Sequence, residues 1–527
     1  WERLRLRTFI PPTFEKGDIK IYVWNIGGEA VFFDDLHITR QKDKKYPTYE
    51  GDVLDLEIDS LGMDKIRAVR YTAFIRGTLQ SDEWVKAKIK YRGKVMPVKL
   101  RLKGDWLDHL QGEKWSFRIK LKKGYAWNRL REFSIQNPAT RNFLAEWTLH
   151  RLLEKEDVLT TRYGFVPVRL NGKTLGIYAW EEHFVKQLLE ARSRKEAPVI
   201  RFTEDAFWDW ISFMEAKDPV MRYLPKFDAA DILPFKQKST ISSPSMKALF
   251  ITGQNLLWQL KQSSRPVGEL INTDALAKYY AITALTCAYH GLAWHNMRFY
   301  VNPYTQMLDP IAFDGYPGSS ISDDEFERIL GFNKEGNCVQ ELKDREEYML
   351  KGLLNDTVFR KQYESYLDAF SGPAYMDTFM VQIRDDALNY EGLIRREFPS
   401  YKYNYSMLKD KAALLRAALA TDEQQYCRIS YRYAPDTLAT DTDYCTLEKP
   451  LKSMAVKAFL EHERNGQCTL TLLNYHCRPL KIKGTGTGGL ITSRIPVEVV
   501  LPPKGPNGQP GPVQIESRAG ATQVFYS

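Results

Sequence analysis

Cysteine is scarce in this chain. Its 527 residues contain six, too few to frame a disulfide scaffold of that size, and no two stand as C-x-x-C, which speaks against a zinc site. Four of the six, Cys427, Cys445, Cys468 and Cys477, crowd toward the C-terminal end. One or two disulfides there would imply an oxidising compartment; buried free thiols are the alternative. Long apolar runs are missing too. None reaches the roughly 18 residues that mark a spanning helix, so no membrane span is expected. No signal peptide is visible, and the chain opens on Trp1 rather than Met, so an upstream targeting or anchoring segment is expected to lie outside this sequence. Acidic residues are sparse in one place above all. Between Lys86 and Lys123 there are 13 Lys and Arg against three acids, Asp105, Asp108 and Glu113, while the whole chain carries only +9. The basic character therefore belongs to one segment, and the remainder is close to neutral.

What is present is globular in kind, with 43% hydrophobic and 13% aromatic residues, and the length predicts roughly two to four domains. Residues 1–42 read as the tail of a β-module: Ile19 to Asn25 alternates, Gly27-Gly28 turns, and Ala30 to Ile38 carries Asp34-Asp35. The phrase YVWNIGGEAVFFDDLHI resembles the closing strands of jelly-roll carbohydrate-binding modules. Residues 43–76 are a polar linker and a helix, Val53 to Arg76, with Leu54, Ile58, Leu61, Ile66 and Val69 along one stripe. Residues 77–203 hold three strands, Val85 to Tyr91, Val98 to Gly104 and Trp115 to Lys122, in which basic residues take one parity and apolar residues the other. Paired in register, they make an antiparallel sheet with one greasy and one cationic face. Asn142 to Leu153 is predicted helical, Phe165 to Leu170 and Thr174 to Trp180 form a hairpin about Asn171-Gly172, and Glu181 to Arg194 form a further helix. Residues 204–426 are mainly helical. Residues 427–527 are β-rich, with Gly484 to Gly489 as a loop and Pro502 to Pro512 as a turn.

The stretch 289–318, YHGLAWHNMRFYVNPYTQMLDPIAFDGYPG, interrupts the helical region. It sets His295-Asn296 before one strand, Met297 to Val301, and Asp314-Gly315 after a second apolar approach. Asn296 and Asp314, at the two ends of a hairpin, offer oxygen ligands suited to Mg²⁺; the plain alternatives are a strand-end cap and a turn-forming Asp-Gly. The cationic face reads as a platform for nucleotide phosphates or an acidic polymer, or else as a solvated surface. On it Arg118 can grip phosphate bidentately, while Lys103 and Lys120 act as mobile point charges. Aromatic residues fall mainly on the other parity, so nucleic acid is not expected as a partner. The loop from Lys103-Gly104-Asp105-Trp106 to Gly112-Glu113-Lys114-Trp115 could bring backbone N–H groups to phosphates or simply join two strands. Glu181-Glu182 read as acids at a helix start or as the border of a pocket.

In order, RLKGDW, KWSFRIKL, LNGKTLGIYAWEE, WHNMRFY and PIAFDG resemble the CotH family of spore-coat-type protein kinases. The motifs run from Arg76 to Ser320, and the helical pattern extends the likeness to Ala420. The resemblance implies an α+β fold: an atypical protein-kinase-like bilobal core, flanked by the β-rich N-terminal segment and a C-terminal β-sandwich-like domain. Residues 77–203 would be the small lobe and 204–426 the large lobe. Arg118 or Lys120 would meet the phosphates of ATP, with Lys103 a further cofactor-binding candidate, Glu181 would lead into the hinge bordering the adenine pocket, and Asn296 and Asp314 would bind Mg²⁺. Phosphoryl transfer would rest on positioning and electrostatics.

One departure divides the functional readings. The family carries a catalytic aspartate shortly before the His-Asn pair, whereas Cys287 to Trp294 contain no carboxylate and Gly291 stands five positions before Asn296. His290 is one substitute as general base, and Asp309 is another. The leading expectation is therefore a CotH-like phosphotransferase acting on a protein or anionic polymer of the cell envelope or extracellular space, although a cytoplasmic location is also compatible. The alternative is a non-catalytic pseudokinase scaffold in a surface assembly, gripping acidic glycan. A carbohydrate hydrolase is the weakest reading, since Asp34, Asp35, Asp105 and Asp108 form no convincing acid/base pair.

Overall fold

The computed structural model describes residues 49, 51–205, 207–208, 230–261, 265–318, 341–344, 353–419, 430–433, 456–474, 479–487, 490–502, 511–518 and 523–526. The expected module at 1–42 and Cys427, Cys445 and Cys477 lie outside them. The described residues form a mixed α+β protein. Two compact units interleave along the chain, one comprising residues 1–143, 163–183 and 387–402, the other 144–162, 184–386 and 403–527. Among the described residues, no helix is long and apolar enough to cross a membrane.

The first unit is built on a closed barrel. Its strands are β1 (Leu54–Ile58), β2 (Val85–Tyr91), β3 (Lys94–Leu102), β4 (Phe117–Leu121), β5 (Glu132–Gln136), β7 (Tyr163–Leu170) and β8 (Lys173–Glu182); β6 (Leu159–Thr160) belongs to the other unit. Their order is β1-β2-β3-β4-β5-β8-β7, closed by a parallel pairing of β1 with β7. The predicted parity is what folds it. Val85, Ala87 and Ile89, Val98, Leu100 and Leu102, and Phe117, Ile119 and Leu121 all turn inward and are buried. The lysines and arginines between them turn outward.

The helix expected over Val53 to Arg76 is two elements. LDLEI repeats with period two and forms β1, with Leu54, Leu56 and Ile58 buried. The helix starts only at Ser60, where the Asp59 side chain accepts from the Gly62 N–H, and ends at Arg76 before Gly77 in the left-handed region. Leu61, placed by sequence on the apolar stripe, points to solvent. Buried Arg70 on this helix pins the β3–β4 loop by donating to the carbonyls of Leu110 (2.9 Å) and Gly112 (3.4 Å). Burial lowers its pKa to about 10, which leaves it charged at neutral pH. Gly104 in this loop has φ +100°, and a Cβ there would lie 2.3 Å from the His109 ring, so close packing already requires the glycine. Segment 387–402 is locked on by Glu397, whose carboxylate takes both the Lys114 ammonium (2.7 Å) and the Ile177 N–H (2.7 Å) in the interior.

In the second unit, β9 (Val199–Phe202), β10 (Ile232–Pro234), β11 (Arg298–Val301), β12 (Leu308–Ala312) and β6 form a sheet of order β10-β9-β11-β12-β6. Helix Pro244–Lys261 packs on it through Gly253, where a Cβ would stand 2.3 Å from Val301 Cγ2. Among the described residues of the C-terminal region, strands predominate. Its two three-stranded sheets share a core of Cys468, Leu470, Leu472, Ile482, Leu501 and Ile515. The Thr/Gly stretch predicted as a loop is instead largely strand Leu480–Thr487, with irregular pairing at Gly484 and Gly486. Trp258 stacks on Phe459, and Asn255 donates to the Glu461 carbonyl (2.8 Å), fixing this region to helix Pro244–Lys261. Cys287 and Cys468 are buried free thiols.

Asn171 does more than turn the β7–β8 hairpin. Its side chain accepts from the Ile58 N–H (2.8 Å) and donates to the Ile58 carbonyl (2.9 Å), sealing the parallel β1–β7 seam. Asn171→Ala should cost about 1–3 kcal/mol in urea unfolding, because two backbone groups lose their partner. Asn171→Gly should cost as much, although glycine suits the left-handed backbone there (φ +48°), which separates the clasp from the turn.

Candidate functional site

Helix Thr273–Thr286 ends at Cys287, which takes the left-handed conformation with φ +52°. A short turn, Tyr289–Leu292, then folds the chain back toward β11. This brings His290 beside Asn296, whose Nδ2 donates to the His290 carbonyl at 2.8 Å. Beyond β12, Asp314 has φ +52°, a conformation that aspartate tolerates better than most residues. His290 Nδ1 lies 2.8 Å from the Asp314 carbonyl and 3.6 Å from its Oδ2. The Asn296 Nδ2 stands 3.0 Å from the same Nδ1 and 3.4 Å from Nε2, so a hydrogen on Nδ1 serves the Asp314 carbonyl and a lone pair there serves the amide. The ring is exposed and Asn296 is buried. Three residues singled out in the sequence, His290, Asn296 and Asp314, therefore converge.

Asp309 does not join them. It is buried on β12 opposite Tyr300, and its two oxygens accept from the amides of Asn272 and Asn302, both at 2.9 Å. Its carboxylate clasps the β11–β12 turn to the start of helix Thr273–Thr286.

Several supporting residues escaped the sequence reading. Glu146, buried on helix Leu144–Lys155, accepts the N–H groups of Gly315 (3.0 Å) and Tyr316 (2.8 Å). A Cβ at Gly315 would lie 2.2 Å from Leu149 of the same helix. Arg298, buried among the rings of Phe184, Phe235 and Phe313, donates to the carbonyls of His295 and Met297. Burial lowers its pKa to about 10, so it remains a cation. The available signals were a lone acid inside the apolar run FLAEW and a lone charge inside the strand MRFYV.

The phosphate-side candidates lie in the first unit. Lys103, just past β3, donates from Nζ to Gln136 Oε1 at 2.6 Å and stands 3.5 Å from Glu181 Oε2. Glu181 is not at a helix start. It is the penultimate residue of β8, opposite Ser134 and Tyr163, and the helix begins only at Lys186. Pairing with β5 and β7 extends the strand through both glutamates. Arg118 donates from Nε to buried Glu132 at 3.0 Å, and its Nη2 also contacts the His183 imidazole. Lys120 is exposed and 3.9 Å from Glu132. Thus Lys103 and Glu181 are brought together, while Arg118 and Lys120 gather at Glu132.

One unit thus holds a lysine beside a buried carboxylate, and the other an amide, a carboxylate and an imidazole gathered together. The family described as CotH kinase protein matches residues 89–409, more than half of the chain, and the chain belongs to that family. Membership brings kinase-like nucleotide use with it. No curated protein matches the chain.

Gly291, five positions before Asn296, has little room for a side chain. A Cβ on Gly291 would lie 2.7 Å from the Tyr279 hydroxyl and 3.0 Å from the Phe313 carbonyl. That hydroxyl already donates to the Gly291 carbonyl at 2.9 Å. Gly291→Ala should lower stability by about 1–3 kcal/mol through overpacking, and Gly291→Asp should lower it further. Thermal unfolding of the two variants checks this.

His295 is largely buried, stacked on Phe207, with no hydrogen-bond partner at Nδ1 among the described residues. Burial, then the neighbouring His290 and Arg298, push its pKa down to about 4. The unfolded chain takes up a proton near the ordinary value of about 6.5, which the folded chain refuses until about 4. Stability should therefore fall as pH drops through that window. His295→Phe should flatten that slope in denaturant midpoints measured between pH 7 and 4.5.

Proposed function

We propose that this chain is a Mg-ATP-dependent phosphotransferase on the two-lobed kinase plan, with a C-terminal β-sandwich, acting on a protein or polymer of the cell envelope or extracellular space. The observation that carries the reading is the convergence of His290, Asn296 and Asp314. The side-chain oxygens of Asn296 and Asp314 fit Mg²⁺, a hard cation that prefers oxygen ligands. When bound, the ion would neutralise charge on the transferring phosphate. Lys103, held by Glu181 and Gln136, would contact phosphate as a point charge. Arg118, already engaged by Glu132, would set the potential around it. His290 would stand in for the aspartate. In the tautomer with Nδ1–H on the Asp314 carbonyl, Nε2 can take the proton of an acceptor hydroxyl as its oxygen bonds to the γ-phosphorus and the bond to the ADP oxygen breaks.

Calorimetry should detect Mg-ATP binding that Asp314→Ala weakens at least about tenfold, since one ligand oxygen and its charge are lost. His290→Ala should retain that binding and lose about 10²- to 10⁴-fold in turnover. Absence of nucleotide binding at millimolar Mg-ATP would overturn the proposal. Binding without transfer in the unaltered protein would replace it with a pseudokinase.

A further inference from the structure

The outer face of β2, β3 and β4 carries a charge pattern that the nucleotide chemistry leaves unused. Lys86 lies directly opposite Lys99, and Lys99 directly opposite Lys120. Three like charges thus line up across neighbouring strands about 4.8 Å apart, an arrangement that disfavours the sheet. Lys90 and Lys120 have acids nearby, Glu57 and Glu132. Lys86, Lys88, Lys99 and Lys122 make no ion pair among the described residues.

The same face turns apolar toward its β2–β3 hairpin end. Val95, opposite Lys90, is 50% exposed, and Pro97 lies opposite Lys88. At the neighbouring β4–β5 connection, Tyr125 is 41% exposed in a turn closed by its own N–H to the Lys122 carbonyl (3.1 Å). The two hairpin tips share one end of the barrel, because Val98 pairs with Leu121 and the Lys122 N–H bonds the Pro97 carbonyl (3.0 Å). A dissolved polyanion would use the lysines and leave Val95 and Tyr125 idle. An anionic bilayer uses both: ammonium groups meet headgroup phosphates, while an aliphatic and an amphipathic aromatic side chain settle at the acyl boundary.

We propose that the outer face of β2–β4 is a peripheral membrane-binding surface that recognises anionic phospholipid headgroups. The proposal goes beyond phosphoryl transfer and does not depend on it.

Cosedimentation of the full chain with vesicles of phosphatidylglycerol and phosphatidylcholine tests it. Binding should require the anionic lipid, be absent with phosphatidylcholine alone, and weaken with salt. Replacing Lys88, Lys99 and Lys122 together by Gln should reduce partitioning roughly 100-fold. Val95→Ser with Tyr125→Ser should reduce it about tenfold with every lysine in place. All five side chains lie on the surface, and an unchanged thermal midpoint verifies folding. Failure to bind anionic vesicles overturns the proposal. So does binding that ignores the Val95 and Tyr125 changes and is matched by soluble polyglutamate, which would make the face a platform for acidic polymers.

Discussion

A buried carboxylate holds the candidate site in shape. Glu146 takes the two backbone N–H groups immediately after Asp314. A charge in the interior is costly unless its acceptor capacity is filled; here two charge-assisted bonds to backbone fill much of it. That grip fixes Asp314 in its left-handed conformation, which aims its carbonyl at His290 Nδ1. The ring is then oriented, and Asn296 is tied to the same residue through the His290 carbonyl. Removing Glu146 would loosen three side chains that it does not itself touch. Arg298 does the complementary work from the other side, filling carbonyls where Glu146 fills N–H groups.

The barrel obeys a different constraint. Strict parity drives its apolar side chains inward and leaves the cations to sort themselves outside. Those that reach toward β5 and β8 find carboxylates: Lys103 meets Glu181, and Arg118 meets Glu132. On the far strands Lys90 meets Glu57, whereas Lys86 and Lys99 meet one another across the strands. One sheet face therefore divides into a compensated part and an uncompensated part, and charge rather than shape separates them.

Local signals carried much of this. The parity of three strands, the Asn-Gly hairpin and the ordered motifs of the family were all legible, because each is written within a few consecutive residues. The positions of His290, Asn296 and Asp314 on a single hairpin were legible for the same reason. What stayed hidden depends on distant partners. β1 is five residues long and abuts a helix, so its period-two pattern was absorbed into the helical one. Glu181 and Glu182 looked like a helix start because their strand is extended by pairing with β5 and β7. Glu132 lies on the strand after Arg118 and Glu146 far upstream of the Gly315 and Tyr316 N–H groups it binds, and no local pattern announces that either glutamate will be buried. The Thr/Gly run near Gly484 looked like a loop, since irregular pairing lets a sheet accept glycines that a plain strand would not favour.

The space over Gly291 couples two positions that lie on different elements. With the Tyr279 hydroxyl and the Phe313 carbonyl occupying the room for a side chain, a larger residue at 291 displaces the Tyr279 hydroxyl from its bond to the Gly291 carbonyl. Substitutions at 279 and 291 are therefore not independent, each changing what the other tolerates.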